Sequence, residues 1–185
     1  MEATVQEKLL TAEDFILLPD PLDGSRQELV RGEIITMPPP GMLHGATCVK
    51  TVLKIGRFIE GGPGGTLVCN DSGFITERSP DSVRGPDVSY WTKERVKEIP
   101  VGYAKISPDM LVEVLSPSNT SKQILTKLRE YFAKGVRLVW VIAPEDRTLR
   151  IYRNAEEGRL LHETATVTGE DVLPGFECRV SDLLP

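Results

Sequence analysis

The segment that most constrains the fold runs from Asp109 to Ile142. Met110-Leu-Val-Glu-Val-Leu115 is an apolar run of strand length, and Val136-Arg-Leu-Val-Trp-Val-Ile142 is a second. Between them Ile124, Leu125, Leu128, Tyr131 and Phe132 recur at helical spacing. Ser118 or Asn119 can cap that helix, and Gly135 stops it. Two buried strands joined by a helix of about four turns pair in parallel, because the crossover returns the chain to the same end of the sheet. One residue breaks the pattern. Glu113 stands in the middle of the first strand. An unpaired carboxylate is costly to bury, so the chain must bring it a cation, a proton or a metal.

The flanking segments read as follows. Residues 1–10 form a flexible lead-in. Thr11-Ala-Glu-Asp14 has the form of a capping box before a short helix that Pro19 ends. Gln27–Val30 and Glu33–Met37 flank Arg31-Gly32 as a hairpin. A helix over 42–59 carries Val49, Val52, Leu53, Gly56 and Ile59, with His44 in its first turn. Gly61-Gly-Pro-Gly-Gly65 breaks it. Thr66–Cys69 and Gly73–Thr76 read as a second pair of strands, and another strand opens at Asp87 after Pro86. Residues 92–108 read as irregular, with one helical turn near 94–97. Leu149–Tyr152 and the run from Leu160 extend the sheet antiparallel, and Val180–Leu184 forms a last helical turn. The expected fold is a single mixed α/β domain over residues 1–185, with helices flanking a mixed central sheet.

Length and composition narrow the function. The chain has 185 residues, which suits one domain with a substantial core. A net charge of -5 argues against a nucleic-acid coat or a polybasic membrane binder. The charge is uneven, however. Residues 119–137 hold five basic side chains against one acid, and residues 154–185 hold seven acids against two arginines. The helix can therefore face phosphates while the tail faces away. The start MEATVQEKLL lacks the form of a signal peptide, and no apolar run reaches the roughly 18 residues of a membrane span. Cys48, Cys69 and Cys178 form no Cys-x-x-Cys pair, so they read as reduced thiols of a cytoplasmic protein.

Four residues converge on one chemistry. Asp87 and Glu113 on neighbouring strands can hold one Mg²⁺, with Mn²⁺ as a substitute, through hard oxygen ligands. Such an ion lowers the pKa of a bound water and neutralises a phosphodiester oxygen. Lys127 borders the sheet-facing stripe of the following helix and can orient the water or stabilise the transition state. Glu28 is a further acid in an early strand, and His44 is a possible accessory. Each also has a plainer reading. Asp87 can cap a turn, Glu113 can pair with Arg137 or Arg150, Lys127 can reach solvent along the sheet, and Glu28 can be solvated.

Pro86-Asp87 followed by Glu113 in an apolar strand is similar to the PD-(D/E)XK nuclease superfamily. The lysine that motif places two residues after the second acid is absent, since Leu115 stands there. The chain more closely resembles the Uma-two family, an endonuclease-like branch in which the lysine has moved to the next helix. The segments that carry this resemblance are Glu28-Leu-Val-Arg-Gly-Glu33, His44, Arg84-Gly-Pro-Asp-Val88, Leu111–Ser118, Lys127–Tyr131, Gly135-Val136, Trp140 and Leu173-Pro-Gly-Phe176. The resemblance implies a restriction-endonuclease-like fold, Asp87 and Glu113 as metal ligands, Lys127 as catalytic lysine and Glu28 as accessory acid. It implies a Mg²⁺-dependent endonuclease acting on DNA. Cutting both strands would require a homodimer. Family members often carry an acid where this chain has Gln123. The alternatives are a non-enzymatic nucleic-acid- or protein-binding protein on the same scaffold, and a hydrolase of small phosphoesters with the 93–108 loop over its pocket.

Overall fold

The structure, a computed structural model, describes residues 9–185. In chain order its elements are α1 (Ala12–Phe15), β1 (Arg26–Val30), β2 (Glu33–Met37), α2 (Met42–Glu60), β3 (Thr66–Cys69), β4 (Phe74–Glu77), β5 (Ser82–Arg84) and β6 (Val88–Trp91). They continue with β7 (Met110–Val114), α3 (Ser121–Ala133), β8 (Leu138–Ala143), β9 (Thr148–Tyr152), β10 (Gly158–His162), β11 (Thr166–Gly169), β12 (Leu173–Arg179) and a closing 3₁₀ turn, Val180–Leu183. The flexible lead-in expected over 1–10 falls mostly outside the described residues. Leu10, at its end, is anchored by donating its N–H to the Gly32 carbonyl at 2.9 Å.

A six-stranded sheet runs in the order β10-β9-β8-β7-β6-β3. Within it β7 and β8 are parallel and joined through α3, as the βαβ reading requires. The neighbours β6 and β9 run antiparallel to them, so the sheet is mixed. A second sheet has the order β2-β1-β5-β4, and β11 pairs with β12 in a third.

Alternation along β7 divides the core. Met110, Val112 and Val114 join Trp140, Ile55, Ile59 and Phe176 on the α2 side. Leu111 and Glu113 face the other way, where Leu128, Tyr131, Val139, Val141 and Phe74 pack under α3. Glu113 therefore points into the space between the large sheet, α3 and the smaller sheet.

Several expectations are corrected. The strands at 66–69 and 74–77 do not pair with each other: β3 joins β6 and β4 joins β5, in different sheets. β5, β11 and β12 gave too short or too weakly alternating a signal to be read. The cap of α3 is Thr120 rather than Ser118 or Asn119; its hydroxyl accepts from the Gln123 N–H at 3.2 Å, and the Gln123 side chain accepts from the Thr120 N–H at 2.8 Å. Gln123 thus serves the helix end. Asn119 instead closes the preceding turn, accepting from the Ser116 N–H at 2.8 Å. Because α3 carries Lys127, this cap also fixes the site. Thr120→Ala is expected to cost about 1 kcal/mol in urea unfolding, the usual value of an N-cap.

Among the described residues no helix is long and apolar enough to cross a membrane. The basic segment is also less available than its count suggests. Lys127 points into the protein, and Arg137 pairs with Asp109 and Asp171. Lys122 and Arg129 remain exposed on α3.

Candidate active site

Asp87 immediately precedes β6, whose register sets Val88 opposite Val112. Continued by one residue, that register sets Asp87 opposite Glu113, with both side chains on one face. Asp87 Oδ2 accepts the Val114 N–H at 2.6 Å, which fixes the carboxylate against β7. Both acids are 6% exposed. In the smaller sheet, the Leu29–Val83 pairing likewise sets Glu28 opposite Arg84.

Lys127 bridges the two sheets. Its Nζ lies 3.3 Å from both oxygens of Glu113 and 3.0 Å from Glu28 Oε1. Four residues on, one helical turn away, the Tyr131 hydroxyl donates to Glu113 Oε1 at 2.5 Å. Arg84 donates to Glu28 Oε2 at 2.8 Å and grips Glu130 of α3 with two bonds of 2.6 and 2.7 Å. The Gly85 N–H completes the partners of Glu28 at 3.1 Å. On the other flank Arg26 Nη1 reaches Asp71 at 2.8 Å and Asp87 Oδ1 at 3.2 Å. His44, from the first turn of α2, places Nε2 3.0 Å from the same Oδ1. That ring nitrogen is buried, yet its N–H direction makes no aligned hydrogen bond.

These neighbours divide the acids into two kinds. Burial, opposed by Lys127 and reinforced by the charges of Asp87 and Glu28, pushes the Glu113 carboxyl up to about 7. For Asp87 burial acts in the same sense, but the His44 contact, the Val114 N–H and Arg26 outweigh it and hold the group below the ordinary carboxylate range. Glu28 is also lowered, since Lys127 and Arg84 overcome its burial. Burial alone would discharge Lys127, yet Glu113 and Glu28 raise it, so it stays a cation at neutral pH. Cys48, one turn after His44, has its thiol pushed up to about 12 by burial and by Asp87.

This donor set fits a hard divalent ion. It offers carboxylates on neighbouring strands, and the reluctance of Glu113 to ionise, which comes first from burial and then from the charges of Asp87 and Glu28, is what a dication would relieve. The structure thus brings together all four residues expected from the sequence, Glu28, Asp87, Glu113 and Lys127, with His44 beside Asp87. Glu113 pairs with neither Arg137 nor Arg150.

The family model described as "Putative restriction endonuclease", Uma2, matches residues 12–181, nearly the whole chain. The chain belongs to the Uma2 family. Among solved structures, it is similar to one titled as a putative nuclease belonging to DUF820 from Anabaena variabilis ATCC 29413. The identity is 22%, with 94% of this chain and 97% of that one covered and a TM-score of 0.77, which establishes a shared nuclease-like fold. A search of curated proteins found no match.

For this Uma2 chain, sequence reasoning missed Arg26, Arg84, Glu130 and Tyr131 as members of the site. Some signal existed. Arg26 stands two residues before Glu28 on one strand, hence on the same face. Tyr131 stands four after Lys127 on one helix face, within the apolar stripe of that helix. The pairing of Arg84 with Glu28 had no local signal, because it depends on β1 and β5 being neighbours. The 93–108 loop lines an apolar pocket with Trp91, Val68 and Gly73, and none of the four expected residues lines it. Nothing in that arrangement supports the loop as a cover for a small-phosphoester site.

Proposed function

We propose that this protein is a divalent-metal-dependent endonuclease that hydrolyses phosphodiester bonds in DNA. The observation that carries the reading is the meeting of Asp87, Glu113 and a permanently charged Lys127 in one buried cluster, within a family and fold of nuclease type. Asp87 and Glu113 are the residues that would hold Mg²⁺, or Mn²⁺ in its place; the ion would lower the pKa of a water and offset charge on a phosphodiester oxygen. Lys127 is held cationic and is therefore no general base. Its ammonium stabilises the negative charge that builds on the phosphoryl oxygens. Glu28 positions Lys127, and Arg84 in turn orders Glu28 and ties it to α3 through Glu130. Tyr131 fixes the rotamer of Glu113. A homodimer would supply the second site needed to cut the second strand.

One observation favours a second reading, a non-enzymatic nucleic-acid-binding protein on this scaffold: every acid of the cluster already has internal partners. One experiment separates the two. Supercoiled plasmid is incubated with the protein in Mg²⁺, Mn²⁺ or EDTA, beside Glu113→Ala and Lys127→Ala, and Mn²⁺ binding is followed by calorimetry. Metal-dependent nicking that both substitutions remove is expected. DNA binding without metal binding or nicking would overturn the enzymatic reading.

A further inference from the structure

We infer that His44, Cys48 and Asp87 form a second site, overlapping the first at Asp87, for a zinc-class ion. His44 and Cys48 stand four residues apart on one face of α2, and Asp87 meets them from the start of β6. One donor atom from each lies within 4.8 Å of the others. Zinc bonds of about 2.0–2.3 Å draw tetrahedral donors to within roughly 4 Å of one another, so small side-chain shifts close the set. Independently, His44 Nε2 lies buried 3.0 Å from Asp87 Oδ1 without an aligned hydrogen bond, while Nδ1 of the same ring lies 3.6 Å from the Cys48 sulfur, so the ring already touches both other donors. Sulfur and imidazole nitrogen select zinc, cobalt or nickel over magnesium, so this donor set is chemically distinct from the paired carboxylates.

Charge balance also favours the site. On binding, the Cys48 S–H proton passes to the buffer, the sulfur bonds to the ion, and neutral His44 contributes a lone pair. Thiolate and carboxylate then cancel the two charges of the ion, with no oxidation or reduction. Arg26 need not be left unpaired when Asp87 turns to the metal, because its closer partner is Asp71, at 2.8 Å against 3.2 Å. Three protein donors leave a fourth position for water. Asp87 belongs to both sites, so zinc draws it away from the magnesium pair. In this last respect only, the inference rests on the proposed function: zinc inhibits magnesium-dependent cleavage.

The test reads metal binding directly. Zinc-edge X-ray absorption of the wild-type protein with one equivalent of zinc is expected to show one sulfur neighbour at about 2.3 Å. With Co²⁺, a thiolate-to-metal charge-transfer band is expected. Cys48→Ser should remove the band and weaken zinc binding at least tenfold while keeping magnesium-dependent cleavage, and Cys69→Ser should change neither. A zinc shell of oxygen and nitrogen only, or a cobalt band that survives Cys48→Ser, overturns the site. The X-ray measurement repeated on Cys69→Ser removes the exposed thiol without touching the site, so a folding defect in Cys48→Ser leaves the outcome decided. A sulfur shell in a protein that never cuts DNA would uphold this site and sink the proposed function; cleavage without a sulfur shell would do the reverse.

Discussion

Glu113→Gln is expected to stabilise the metal-free protein at pH 8 while abolishing cleavage. The carboxyl titrates near 4.5 in the unfolded chain and is pushed up to about 7 in the folded one. Between those values the folded state keeps a proton that the unfolded state has released. Stability therefore falls as pH rises through that window, and the penalty is complete above it. At about 1.4 kcal/mol per pH unit, the ceiling is about 3 kcal/mol. Glutamine imitates the protonated side chain and still accepts the Tyr131 hydrogen bond, so the gain at pH 8 should reach about 1–3 kcal/mol and vanish near pH 4.5. Urea unfolding in EDTA at both pH values measures it. Equal stability of variant and wild type at pH 8 would show that Glu113 ionises without cost, and the charge argument for a metal would go with it. Where a metal occupies the pair, the sign inverts for the wild type. Mn²⁺ should raise its melting temperature more at pH 8 than at pH 6, since the ion favours the ionised carboxylate.

Lys127→Met should lower cleavage at least about 10²-fold, the scale on which removing one preorganised charge-stabilising group is felt. It should also cost about 3–5 kcal/mol of stability, because Glu28 and Glu113 lose the cation that compensates their burial. The two effects can be separated. Lys127→Met with Glu28→Gln removes one cation and one anion together, so much of the stability should return while cleavage stays lost. Cleavage that returned with stability would make Lys127 a structural partner alone. Lys127→Arg is expected to rescue poorly: a planar guanidinium cannot point one compact charge at two carboxylates 3.0 and 3.3 Å away in the same geometry.

The features legible in the sequence were those carried by local periodicity. The strand Met110–Val114, the helix Ser121–Ala133 and the strand Leu138–Ala143 follow from their apolar spacing, and their parallel pairing follows from the crossover. The capping box at Thr11 formed as read, since it joins residues only three apart. The box at Thr120 has the same chemistry, but Ser118 and Asn119 offered competing caps close by. Short strands fared worse. β5 has three residues, too few for alternation to show, and β3 and β4 looked like partners only because they are adjacent in the chain. Pairing between strands is a long-range choice, made by whichever neighbour buries both faces.

The same division runs through the candidate site. By itself the sequence determined the acid inside a core strand, the aspartate after Pro86, and a lysine on the sheet-facing edge of the next helix. Those placements need only the period of two along a strand and 3.6 along a helix. Tertiary structure alone decided which charges meet. It set Glu28 opposite Arg84 across β1 and β5, brought Lys127 between carboxylates from two sheets, and carried His44 and Cys48 of α2 to Asp87. The reason is physical. A residue's own segment fixes the face it presents, whereas its ionisation depends on the charges and the dry surroundings that other segments bring within a few ångströms.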